Sequence, residues 1–343
     1  MEGGRAGVRR DGDLTAAGRP LRVLMSRQAA GKLAGEVAGV LGAGAHVLLA
    51  PGDADAALAD VAFVSRDVTG LSTKHEVLPE TQRMYDALLA APALRWVHIH
   101  SAGADRPVYV QLLERGVAVT TSSGANAPVV AQNALLGVLA LARHWPRLAA
   151  AQREHRWAPL IASGLPRDLQ EQTAVVVGWG PVGQEVARLL RALGLRVVVV
   201  RRQAGSAAGV TMVADTQLHE VLPTADWLLL ACPLTERTRG LLGARELALL
   251  PPHCGLVNVA RGEVVDEAAL VDALRAQRIA GAYLDVFAHE PLPPDSPLWD
   301  LPNVICTPHS AGFSDGNEQR VARMFLDNLA RFVRGEALAN AAG

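Results

Sequence analysis

The stretch Val175-Val176-Val177-Gly178-Trp179-Gly180-Pro181-Val182-Gly183 decides the fold. An apolar run that reads as a strand leads directly into G-x-G-x-x-G. The next residues, Gln184 to Leu193, read as a helix closed by Gly194 at its C′ position. The glycines permit a tight turn and close backbone approach to a pyrophosphate, and the helix N-terminus offers oriented N–H groups to its charge. A bare G-x-G-x-x-G says little, but between a strand and a helix it points to a dinucleotide.

Downstream the alternation continues. Ala174 to Val177, Val197 to Val200, Trp227 to Ala231, Gly255 to Val259, Gly281 to Val286 and Asn303 to Cys306 read as strands, mostly joined by helix-length segments. That is a doubly wound α/β domain. Upstream, Leu21 to Met25, Ala45 to Leu49, Val61 to Val64, Leu94 to Ile99 and Val117 to Thr120 read as strands. Lys32 to Leu41 and Gln111 to Arg115 read as helices, giving a second parallel sheet.

Between the two series, Ala127 to His144 reads as one long helix. Asn126 is its N-cap, Pro128 lies in its first turn and Pro146 is its stop. It is apolar on nearly all sides, so burial between domains or against a second subunit is expected. Arg147 to Asp168 reads as a surface excursion. After Gly312 one amphipathic helix, Glu318 to Arg334, is expected to return to the first domain and make it discontinuous. The domains expected are 21–119 with 313–343, and 120–312. Residues 1–20 crowd Gly, Arg and Asp without a hydrophobic segment and read as a disordered tail rather than a secretory signal.

Half of the 343 residues are apolar and the formal net charge is −1. No global field argues for nucleic acid or a membrane surface, and no apolar run approaches the roughly 18 residues that cross a bilayer. Cys232, Cys254 and Cys306 are too few and too scattered for a disulfide framework or a zinc site. No metal is expected, and the thiols fit a reducing cytoplasm.

Three residues stand just beyond predicted strands: Arg261, Glu290 and His309. Open α/β sheets bind ligands at the carboxyl ends of their strands. Arginine offers a planar fork to a carboxylate, histidine a proton near neutral pH, and a carboxylate orients an imidazole and favours its charged form. Each alone also fits an unremarkable loop role, but together, after a dinucleotide motif, they favour catalysis. At the end of the strand Val197 to Val200, where an acid would mark NAD, the chain has Arg201-Arg202. Arginine there suits the 2′-phosphate of NADPH, with NAD as a second cofactor; a solvated surface pair is the other reading.

At these motifs the chain resembles the D-isomer-specific 2-hydroxyacid dehydrogenases, especially the glyoxylate/hydroxypyruvate reductase branch. The matching pieces are Val177 to Gly183, Cys232-Pro233-Leu234-Thr235 with Thr238-Arg239-Gly240, and Asn258 to Asp266. Asp285-Val286-Phe287 with Glu290-Pro291-Leu292, and Thr307 to Gly312, complete them. The resemblance spans nearly everything from Leu21 onward. It implies a Rossmann cofactor domain, a discontinuous flavodoxin-like substrate domain and an active site in the cleft between them. It implies Arg261 as substrate anchor, His309 as acid/base and Glu290 as its partner. Backbone N–H groups at Ala102 and Gly103 would hold the substrate carboxylate. The cofactor contacts expected are Gly178, Gly180, Pro181, Val182, Gly183, Arg201, Arg202, Pro233, Thr238, Val259, Ala260, His309 and Gly312, with Asp285 facing the nicotinamide amide. The implied partners are a small 2-keto or 2-hydroxy acid and a second copy of the chain, paired through Ala127 to Leu141. Formate dehydrogenases of the superfamily carry Gln where this chain has Glu290, which speaks against that activity. A non-catalytic, dinucleotide-sensing binding protein of the same fold is the alternative. Arg66, His98 and His100 are candidates for the substrate pocket, with surface or core roles equally open.

Overall fold

The computed structural model describes residues 19–343 except Lys74, Ser163, Ala208 and Gly343. The expected disordered tail therefore lies almost wholly outside the described residues. Among the described residues the chain forms two compact units: 19–72, 77–125 and 316–342, and 73–76 with 126–315.

In the first unit five strands, β1 (Leu21–Leu24), β2 (His46–Leu49), β3 (Val61–Val64), β4 (Trp96–Ile99) and β5 (Ala118–Thr121), form a parallel sheet ordered β2-β1-β3-β4-β5. Its helices are α1 (Arg27–Leu41), α2 (Arg66–Thr69), α3 (Pro79–Ala90), α4 (Pro107–Glu114) and the C-terminal α11 (Asn317–Val333). Helix α1 starts five residues earlier than its apolar periodicity suggests, because the Ser26 hydroxyl caps it by accepting the Ala29 N–H at 2.9 Å. The C-terminal helix does join this unit: Phe325 is buried and stacks on Phe63 and Trp96. Beyond it Ala341 forms an antiparallel bridge with Thr120, a pairing that the sequence reading does not include.

The second unit holds β6 (Thr173–Val177), β7 (Arg196–Arg201), β8 (Gly205–Ala207), β9 (Val210–Ala214), β10 (Trp227–Leu230), β11 (Gly255–Asn258), β12 (Gly281–Leu284) and β13 (Val304–Cys306). They are ordered β13-β12-β11-β10-β6-β7-β9-β8, all parallel except β8. The chain direction of sheet growth reverses at β6, the strand that feeds the glycine turn, as in doubly wound folds. Its helices are α5 (Ala127–Ala142), α6 (Trp145–Arg153), α7 (Pro181–Ala192), α8 (Leu218–Val221), α9 (Ala244–Leu249) and α10 (Glu267–Arg275).

Two expectations about the middle of the chain are corrected. Pro146 does not end a helix; the chain turns at His144, with φ +53°, and Pro146 lies in the first turn of α6, where its missing N–H costs nothing. Helix α5 is buried mainly on its own unit, against α7, β11 and β12. Gly137 permits this: a Cβ there would lie 2.5 Å from Cγ of Tyr283 on β12. Asn126 precedes α5, but its side chain makes no capping bond.

Candidate active site

Strand register brings the predicted residues to one edge of the second sheet. Val200, Val177, Leu230, Asn258, Leu284 and Cys306 form a single row of register partners across β7, β6, β10, β11, β12 and β13. Everything just past that row emerges on the same carboxyl edge: Gly178, Arg201, Pro233, Arg261, Asp285 and His309.

His309 and Glu290 meet there. His309 Nδ1 lies 2.8 Å from Glu290 Oε2, and Glu290 Oε1 accepts the Phe287 N–H at 3.1 Å. Burial pushes the Glu290 carboxyl up. The His309 hydrogen bond and charge, the Phe287 N–H and the Arg261 charge outweigh it and hold the group below the usual carboxylate range. The imidazole remains half exposed while the carboxylate is nearly covered. His309 itself has φ +48°, a left-handed conformation unusual for a side chain larger than glycine. The loop compensates: the His309 N–H donates to the Asp285 carbonyl at 2.8 Å. The Asp285 carboxylate accepts from Thr307 Oγ1 at 2.7 Å, the Ser310 N–H at 2.8 Å and the Ala311 N–H at 3.0 Å. Burial nevertheless raises the Asp285 carboxyl above its ordinary range.

Arg261 leaves β11 in a turn built by Asn258. The buried Asn258 side chain accepts the Ala260 N–H at 3.0 Å and donates to the Arg261 carbonyl at 3.1 Å. Asn258 stands in a quoted motif, but its positioning role is missing from the sequence reading, since an amide bridging its own turn leaves no periodic signal. The Arg261 guanidinium donates to the Ala260 carbonyl at 2.7 Å.

The glycine turn divides its labour. Gly178 has φ +110°, and a Cβ on it would lie 2.7 Å from the Ala231 carbonyl oxygen. A Cβ on Gly183 would collide with the Gly178 carbonyl, so α7 packs tightly on the turn. At Gly180 a Cβ would meet nothing within 4 Å, and no side chain caps the α7 N-terminus there. Helix α7 therefore begins without a side-chain cap, next to open space at Gly180, as an anionic pyrophosphate requires. These residues fit a dinucleotide.

The D-isomer specific 2-hydroxyacid dehydrogenase NAD binding domain, as a sequence family, matches residues 135–311. The chain belongs to this family. A glyoxylate reductase of Korarchaeum cryptofilum is 36% identical over 255 residues, 72% of this chain and 75% of that protein. A D-isomer specific 2-hydroxyacid dehydrogenase from Xanthobacter autotrophicus, solved with NADPH and MES, superposes with TM-score 0.76 at 29% identity, covering 95% of this chain and 98% of that one. An NADPH-dependent glyoxylate/hydroxypyruvate reductase from Sinorhizobium meliloti, solved with NADP and sulfate, gives TM-score 0.72 at 26% identity, covering 94% and 98%. As a member of the family the chain is an oxidoreductase with a nicotinamide dinucleotide site. No described helix is long and apolar enough to cross a membrane.

The remaining candidates of this dehydrogenase fall as follows. Arg201 and Arg202 are exposed at the end of β7, beside the glycine turn by register. The Thr238 hydroxyl is engaged within its own loop, donating to the Pro233 carbonyl at 2.7 Å and accepting the Thr235 N–H at 2.8 Å. Val259 and Ala260 link β11 to Arg261, and Ala260 is buried. A Cβ on Gly312 would lie 2.5 Å from Asn126 Nδ2. In the first unit, His98 is fully buried and bonded to Thr120 and Ser122, so it is a core residue, with burial pushing its ring down to about 3. His100 is bonded to Thr69 at 2.7 Å. Arg66 is exposed, and Ala102 and Gly103 lie in the loop after β4.

Proposed function

We propose that this chain reduces a small 2-keto acid, such as glyoxylate or hydroxypyruvate, to the D-2-hydroxy acid with NADPH. The observation that carries this reading is the 2.8 Å His309–Glu290 pair at the carboxyl edge of a dinucleotide-binding sheet, with the Arg261 charge acting on the same carboxylate. NADPH, when bound, supplies the hydride. With Nδ1–H held by Glu290, His309 Nε2 is the ring nitrogen that gives a proton to the keto oxygen. The Glu290 carboxylate stabilises the charged ring before that transfer. The Arg261 fork binds the substrate carboxylate, and Lys in its place would keep the charge but lose the paired hydrogen bonds. The Ala102 and Gly103 N–H groups are proposed as further carboxylate donors on the family resemblance.

Two exposed arginines at the end of β7 support NADPH over NADH. One hydrogen bond to a charged group is worth about 1.5–3 kcal/mol, or roughly a 10- to 100-fold preference, reduced by salt at an exposed site. We also propose a homodimer: Trp157, Ile161 and Leu165 expose large apolar side chains in the segment after α6.

The test is kcat/KM for glyoxylate and hydroxypyruvate with NADPH and NADH at fixed ionic strength, in the parent, Arg201→Ala and Arg202→Ala. The parent should favour NADPH, and at least one variant should lose that preference through KM. Equal use of NADH would overturn the cofactor assignment, and dinucleotide binding without turnover would favour the non-catalytic alternative.

A further inference from the structure

Glu290 is held from outside its own loop by Thr73 and His75, more than two hundred positions away. Thr73 to Glu76 belong to the second unit, although Ser72 and Val77 on either side belong to the first. The Thr73 hydroxyl donates to the Glu290 carbonyl at 2.7 Å and accepts the N–H groups of His75 at 3.2 Å and Glu76 at 3.0 Å. The Thr73 N–H donates to the Glu76 carbonyl at 2.9 Å, which closes the segment into a turn. His75 Nδ1 lies 3.2 Å from the Glu290 N–H nitrogen, and its ring stacks on His289 with centroids 4.6 Å apart and planes within 10°.

Glu290 is thereby fixed at both ends. Its carboxylate oxygens are committed to His309 and to the Phe287 N–H, and its main-chain carbonyl and N–H face Thr73 and His75. The side chain is short enough that a rotation of its main chain would carry Oε2 away from the imidazole. Displacements near 1 Å at a reacting group cost up to about 10²-fold in rate.

We infer that Thr73 and His75 are positioning residues that hold the Glu290 main chain so that its carboxylate meets His309. This rests on the keto-acid reduction proposed above. They touch neither the substrate nor the cofactor in this role, and they act only through Glu290.

The experiment pairs Thr73→Val, which keeps the shape and removes the hydroxyl, with Thr73→Ser, which restores it, and adds His75→Ala. Thr73→Val should lower kcat by roughly 3- to 10-fold, the scale of one neutral hydrogen bond, with KM for NADPH unchanged. Thr73→Ser should recover most of the loss. In a Glu290→Gln background Thr73→Val should have little further effect, because the partner through which it acts is already weakened. Equal losses in both backgrounds, or parent kcat in both Thr73→Val and His75→Ala, would overturn the assignment. If the parent turned over no keto acid, the reduction itself would fall, and the ¹⁵N resonances of the His309 ring would still decide. They should shift in Thr73→Val and return in Thr73→Ser, and unchanged resonances would refute the positioning role.

Discussion

Gly262 lies flat against the main chain of Phe287, so close that a Cβ would collide with the Phe287 carbonyl group. The turn that carries Arg261 is therefore packed directly on the turn that carries Glu290. Gly262→Ala should push the two apart. We expect stability to fall by about 1–3 kcal/mol, the usual cost of overpacking. We also expect kcat/KM for the keto acid to fall more than tenfold, the scale of a misplaced binding or catalytic group. Urea unfolding and steady-state kinetics on one preparation check both. Unchanged kinetics would mean that Arg261 and Glu290 are not positioned by this contact.

Glu290→Gln keeps the size of the side chain and removes its charge. A hydrogen bond to a charged group is worth about 1.5–3 kcal/mol, so kcat should fall roughly 10- to 100-fold. The folded Glu290 carboxyl is held below its ordinary range. Its contribution to stability is therefore complete above that range and is lost as pH falls through the lower folded value. The stability difference between parent and Glu290→Gln, from urea unfolding, should shrink as pH falls below the ordinary glutamate range. A difference that grows below that range would contradict the pairing.

The sequence shows the second sheet well where apolar strands end in distinctive residues. The glycine turn after β6, Arg261 after β11 and His309 after β13 all stand at strand ends, and register does the rest. It shows less where the signal is weak. Strand β9 follows β7 after only a short link containing β8, with no helix between them to announce a crossover. Helix α3 is largely polar on its outer face, and only Pro79 and the buried Met84, Tyr85 and Leu88 betray it. Thr73 and Asn258 escape for a different reason: both act through main-chain groups, and Thr73 does so across 217 positions.

His98 should make the protein sensitive to acid. Its ring is fully buried and burial pushes it down to about 3, so it stays neutral in the folded protein while the unfolded chain takes up a proton below its ordinary value of 6.5. Stability is then full above that value and falls as pH drops toward 3, by at most about 1.4 kcal/mol per pH unit from this residue. Unfolding free energies at pH 7, 6 and 5 should show the decline, and His98→Gln should make it shallower, the rest coming from His100, which burial also pushes down to about 3. The same slope in both proteins would remove His98 as the cause.

The apolar side chains beyond α6 should be covered in solution by a second copy. Sedimentation at micromolar concentration should give a homodimer for the parent, and Trp157→Arg combined with Ile161→Arg should give a monomer. A monomeric parent would leave the exposed Trp157 unexplained and refute the pairing.

The most direct measurement is the rate of NADPH oxidation with glyoxylate and hydroxypyruvate by the parent and by His309→Ala, together with NADPH binding to each. The parent should turn over at least one of the two acids. His309→Ala should lose roughly 10²- to 10⁴-fold in kcat, the usual worth of a general acid, while binding NADPH as the parent does. Near-parent kcat in His309→Ala, or a parent that binds NADPH and reduces neither acid, would contradict the account.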